Sequence, residues 1–100
     1  MVYFHKIILF LLSFIVINFN YSQTEISVKD SSSGEAISSV LIFNKSQTET
    51  ILTDNLGKFD LDIFGKNDSI FFSHVSYEPK SVFFIDLNDK VVFYLNPKMM

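Results

Sequence analysis

From position 24 onward, apolar side chains recur at every second residue in short runs, and polar turn clusters separate the runs at a spacing of about ten residues. Residues 24–30 alternate cleanly. Ile26 and Val28 face one way, and Glu25, Ser27 and Lys29 face the other. Alternation of that kind means one buried and one wet face. Ser31-Ser32-Ser33-Gly34 reads as a turn, with Gly34 free to take a positive φ. Residues 37–44 form a second strand. Val40 and Ile42 share a face, but Leu41 and Phe43 are apolar too, so both sides are expected to be covered. A turn over 45–47 leads to a weaker, more polar strand over 49–53, expected at a sheet edge.

The clearest turn is Asp54-Asn55-Leu56-Gly57. Residues 58–63 follow with period two: Phe59, Leu61 and Ile63 inward, Asp60 and Asp62 outward. After a turn at 65–68, residues 69–75 make a near-continuous apolar strand. Tyr77-Glu78-Pro79 is expected to break it, because proline cannot donate to a ladder. A strand over 81–85, a turn over 86–89 and a last strand over 91–95 complete the pattern. Seven short strands and no helical period predict an all-β, antiparallel sandwich.

The first 22 residues are of another kind. Met1 to Lys6 make a short, weakly basic start, Ile7 to Ile17 is apolar except for Ser13, and residues 18–22 turn polar. As a helix, the apolar run would span about 16 Å, half a bilayer core. The pattern is that of a secretory signal peptide over 1–22, with cleavage between Ser22 and Gln23. An uncleaved membrane anchor and a buried core strand are the competing readings. No cysteine follows the run, so it carries no lipoprotein signal.

A 100-residue chain less this segment leaves room for one thin core and little room for a deep cleft. Eight of the twelve phenylalanines lie beyond this segment, and with no tryptophan they make that core phenylalanine-rich. Without cysteine there is no disulfide staple and no thiolate metal site, so packing must carry the fold. All eight basic residues are lysines, and net charge is −3. Setting Lys6 aside leaves seven lysines against eleven acids, about −4. That balance disfavours nucleic acid, which needs clustered cations.

Candidate chemistry is sparse. Outside the first 22 residues His74 is the one histidine, too few for a hydrolytic zinc site or a nucleophile–base pair. Its parity with Ile70 and Phe72 places it at the core-facing edge of a strand, as a structural residue. Asp60 and Asp62 are expected to point together into water. Asp54, Asn55, Asp60 and Asp62 are rich in oxygen, but their spacing departs from a calcium-binding EF-hand loop. Gly57 and Gly65 are isolated and build no phosphate loop. The sequons at Asn44 and Asn67 are read as chance. Tyr77, Phe83, Phe84, Phe93 and Tyr94 are read first as core, second as a patch for a partner. No catalytic, cofactor or metal residue is assigned, and no small-molecule site is evident.

Three stretches resemble the carboxypeptidase regulatory-like domain. They are Gly34-Glu35-Ala36-Ile37-Ser38-Ser39-Val40-Leu41-Ile42-Phe43, then Thr53-Asp54-Asn55-Leu56-Gly57-Lys58-Phe59-Asp60-Leu61, and Ile70-Phe71-Phe72-Ser73-His74-Val75-Ser76-Tyr77. The resemblance covers about residues 24–96 and is most specific at T-D-x-x-G-x-F-x-L. There Asp54 and Gly57 would make the turn, and Phe59 and Leu61 would point inward. Ser76 replaces a usual glycine, Leu56 a usual asparagine, and Ala36 with Ser38-Ser39 a Pro-x-Pro-Gly pattern.

The resemblance implies a transthyretin-like (prealbumin-like) sandwich of seven strands over 23–97, with 98–100 starting a linker to a further domain. In Bacteroidetes-type bacteria such domains follow signal peptides and often precede the plug and barrel of TonB-dependent outer-membrane receptors. The expected role is therefore a non-catalytic exported module, in the periplasm or at the outer membrane, or else at the cell surface or secreted. Its partners would be other domains of a longer chain, or periplasmic and outer-membrane proteins. Alternatives are an accessory domain of an exported carboxypeptidase or other hydrolase, and a free-standing secreted binding module.

Overall fold

The computed structural model describes residues 24–99; the signal segment and its Ser22–Gln23 junction lie outside the described residues. The described chain is mostly β. Its strands are β1 (Glu25–Asp30), β2 (Leu41–Asn44), β3 (Thr50–Leu52), β4 (Lys58–Asp60), β5 (Ser69–His74), β6 (Tyr77–Phe83) and β7 (Val92–Leu95). They form two sheets, ordered β4-β1-β7 and β3-β2-β5-β6, in a sandwich-like arrangement.

The core is what the period-two pattern dictates. Ile26 and Val28 of β1, Ile42 of β2, Phe59 of β4, Ile70 and Phe72 of β5 and Leu95 of β7 are buried between the layers. Phe72 ties the layers together. Its ring meets Phe59 edge-on at 5.8 Å and stacks on Phe93 at 4.3 Å, both across the sandwich. Aromatic pairs of this kind contribute about 0.5–1.5 kcal/mol beyond the area they bury.

One long side of the sandwich is tied together at one end. Beyond β7, the Glu78 amide donates to the Asn96 carbonyl at 2.8 Å, Tyr77 bridges Pro97, and the Lys98 amide donates to the Ser76 carbonyl at 3.0 Å. The opposite side is where β3 and β4 face each other across a cleft of about 230 Å³.

Several expectations are corrected. The sandwich is not wholly antiparallel, because β7 runs parallel to β1, from Ser27↔Val92 to Asp30↔Leu95. The chain leaves β6 at the end of one sheet and passes through residues 84–91 to the other, where β7 enters beside β1 and runs in the same direction. The strand expected over 58–63 ends at Asp60. Residues Leu61–Ile63 form a 3-10 turn capped by the Asp60 side chain on the Asp62 amide, 2.9 Å. Tyr77-Glu78-Pro79 does not break the chain but opens β6. Pro79 is tolerated because β6 is the outermost strand and its register shifts there, between Phe72 and His74. The strand expected over 81–85 holds through Phe83, as the end of β6, and the chain then passes into a single helical turn, α1 (Phe84–Leu87), which buries Phe84 and Leu87. The strand over 37–44 begins only at Leu41. Ile37 and Val40 are buried in irregular backbone, with Ser39 at φ 61°. Nor is that strand covered on both sides, since Leu41 is 38% exposed.

Candidate functional site

The turn over residues 54–57 joins β3 to β4 and turns the chain from one sheet to the other. Asp54 organises it. Its Oδ1 accepts from the amides of Leu56 and Lys58, both at 2.9 Å, and its own amide donates to the Lys58 carbonyl at 3.0 Å. Gly57 takes φ +75°, and a Cβ there would lie 2.6 Å from the Val28 carbonyl oxygen. The approach is close because the Val28 amide donates to the Gly57 carbonyl at 2.7 Å. Phe59 and Leu61 then point into the core. All four motif residues therefore act in one local device, which docks β4 on β1.

Thr53, just before the turn, is buried. Its Oγ1 accepts from the Val40 amide at 2.9 Å and donates to the Ile37 carbonyl at 2.8 Å. It satisfies the irregular backbone that precedes β2, a role with no signal in the local sequence.

The edges of the two sheets differ in how they are finished. The start of the β6 edge, Ser76–Glu78, is engaged by residues 96–98, and further along the Lys80 Nζ reaches from β6 to donate to the Tyr94 carbonyl of β7 at 3.0 Å. On β4 the outward amide and carbonyl of Lys58 are taken up by Asp54. On β3, pairing with β2 uses Ile51 opposite Ile42, flanked by the bonds Asn44 amide to Glu49 carbonyl and Thr53 amide to Val40 carbonyl. The alternation of an antiparallel ladder then turns the amides and carbonyls of Thr50 and Leu52 outward. Among the described residues no strand pairs with that side. The expected edge over 49–53 is thus an edge, with β3 as its ordered part.

The cleft beside it is lined by Ile51, Leu52, Phe59, Glu25, Asp54, Lys58 and Asp60. Leu52 is 57% exposed. Lys58 and Glu25 pair at 3.6 Å in solvent. A second shallow cleft, about 390 Å³, lies on the outer face of the larger sheet, between Phe71, Phe83, Ser81, Lys45 and Asp86.

His74 is half-buried. Its Nδ1 accepts from the Ser76 amide at 3.1 Å, and its ring sits edge-on to Tyr77 at 5.3 Å. It helps shape the β5–β6 turn. Asp60 and Asp62 do not act as a pair of carboxylates. Asp60 Oδ1 accepts from the Thr24 hydroxyl at 2.8 Å and from the Asp62 amide, while the Asp62 side chain is exposed. Of the aromatic set, Phe84 is buried, Tyr77 and Phe93 pack against the core, and Phe83 and Tyr94 are exposed. Asn44 is buried, with its side chain bonded to Thr48 and to the Glu49 amide. Among the described residues no group of three or more metal-ligating side chains converges, and no helix is long and apolar enough to cross a membrane.

One polar contact was invisible in the sequence. The Tyr77 hydroxyl donates to Asp30 Oδ2 at 2.7 Å across 47 positions, while Asp30 Oδ1 accepts from the amides of Ser32 and Ser33 at 2.7 and 3.1 Å. The hydroxyl, and after it the Ser32 amide, holds the Asp30 carboxyl below the usual carboxylate range. The same bond, helped by burial, pushes the Tyr77 phenol above its usual value.

The chain matches no protein-family model and no curated protein.

Proposed function

We propose that the chain is a non-catalytic, exported β-sandwich module of the carboxypeptidase regulatory-like kind, with a seven-stranded prealbumin-like topology. In this reading it serves as the N-terminal extension of a TonB-dependent outer-membrane receptor. The observation that supports it most is the turn at 53–61. The residues that resemble the family's motif, Asp54, Gly57, Phe59 and Leu61, are the ones that close the turn and dock β4 on β1. A non-catalytic role fits the isolation of His74 and the shallow clefts, whose polar groups do not converge.

Export would rest on the apolar segment over 7–17 and cleavage between Ser22 and Gln23. The module would meet its partners, other domains of a longer chain or proteins of the periplasm and outer membrane, through an open sheet edge.

Two measurements test this. Reading the coding DNA beyond Met100 should show a plug and barrel. A zinc hydrolase domain there would make the module an accessory to that enzyme, and a stop codon would make it a free-standing secreted protein. N-terminal sequencing of the exported protein should begin at Gln23; an intact Met1 would overturn the signal peptide.

A further inference from the structure

We infer that the β3 edge and the acidic cleft beside it receive an extended segment of a partner chain, added as a strand along Thr50–Leu52, which carries lysine or arginine among apolar side chains. The inference rests on the interaction-module reading and names the partner's chemistry.

Of the sheet edges, β6 is engaged by residues 96–98 at its start, over Ser76–Glu78, and β4 is capped at Lys58 by Asp54. The outward amides and carbonyls of Thr50 and Leu52 form a row that no described residue takes up; β6 keeps a second open stretch at Ser81 and Phe83, but Pro79 and α1 bracket it and no acidic cleft adjoins it. Natural edges are commonly blunted by proline, an inward charge or a covering loop. β3 carries none of these; its one protection is its length of three residues, Thr50, Ile51 and Leu52. Adding a strand here needs no rearrangement, because the ladder to β2 uses the other side of β3.

Charge gives the rest of the partner's character. Glu25, Asp54 and Asp60 line the cleft with the single cation Lys58, and Lys58 is already paired with Glu25. The bonds to Asp54 and Asp60 all use Oδ1, which leaves the Oδ2 atoms of both exposed residues to solvent. Glu49 adds a further exposed acid at the start of β3. An incoming strand beside Ile51 and Leu52 therefore passes between carboxylates, which favour cations and repel acids.

The probe is the peptide acetyl-Lys-Val-Lys-Val-Lys-Val-amide, titrated into the isotope-labelled full chain and followed by amide resonances. The expected result is a shift of Thr50, Ile51, Leu52 and Lys58–Asp60, with no binding by the Glu-Val counterpart. Leu52→Pro removes an outward donor that the fold does not use and should weaken the peptide about tenfold. Glu25→Gln with Glu49→Gln should weaken it severalfold at low salt and little at high salt. If Leu52→Pro unfolds the chain, methylating alternate amides of the peptide gives the same reading on the native protein, and binding should vanish.

The inference is overturned by shifts centred on Phe43, Phe71 and Phe83 instead, by equal binding of the Glu-Val peptide, or by indifference to amide methylation. It is also overturned if Thr50 and Leu52 shift with protein concentration alone, which would make a second copy the occupant. Binding on another face would leave the interaction-module reading standing. A catalytic domain downstream of Met100 would remove that reading and leave the peptide result intact.

Discussion

Gly57 and Gly34 have nearly the same backbone, φ +75° and +76°, in different surroundings. An alanine Cβ at 57 would lie 2.6 Å from the Val28 carbonyl and 3.1 Å from the Ile37 amide, whereas at 34 nothing lies within 4 Å. Gly34→Ala should therefore cost only the left-handed penalty, about 1–2 kcal/mol. Gly57→Ala should cost about 2–4 kcal/mol, because the β1–β4 contact must also give way. Urea unfolding of the two variants checks the difference; equal losses would mean that the close approach is immaterial. Thr53→Val keeps the shape and removes the hydroxyl, leaving the Val40 amide without a partner in the core. The expected loss is about 1–3 kcal/mol. Gly57 was legible in the sequence because a tight turn needs positive φ at a fixed offset from Asp54. Thr53 was not, because its partners Ile37 and Val40 lie in a different segment and reach it only through tertiary folding.

Among the elements, β1 and β6 belong to different sheets, and the Tyr77–Asp30 hydrogen bond links them. The Asp30 carboxyl is lowered, so its contribution is present above the unfolded carboxylate pKa, about 3.9, and is lost as pH falls through the folded value. Tyr77 is raised, so its contribution is present below about 10 and is lost as pH rises through its folded value. Tyr77→Phe should lower Tm most between those limits, and the gap from the native protein should narrow in acid and in strong base. Thermal melts across pH measure this; a gap constant with pH would show the bond to be energetically idle. β6 and α1 were the elements least legible in sequence. The run Val82-Phe83-Phe84-Ile85 carries no period that separates strand from helix. The crossover to β7 turns it into a helix after Phe83, with Phe84 and Leu87 inward and Ile85 exposed.

At the scale of the whole molecule, the last strand closes the structure. β7 is the parallel partner of β1, supplies Leu95 and Phe93 to the core, and leads into the residues that engage the β6 edge. Deleting residues 91–97 should abolish the cooperative melt rather than trim it, because it opens both sheets and uncovers Phe72 at once. Circular dichroism during heating reads this directly; a surviving sharp transition would show that the remaining strands fold alone. The sequence by itself determined which side chains are buried along most strands, from Ile26 to Leu95, and where the Asp54 turn falls. Both follow from local rules, since alternation sorts faces and a positive φ selects glycine. Only the tertiary structure decided that β7 lies parallel to β1 and that Tyr77 meets Asp30. Those are pairings between distant segments. Side-chain alternation is the same whether a strand pairs parallel, antiparallel or not at all, so it carries no record of its neighbours.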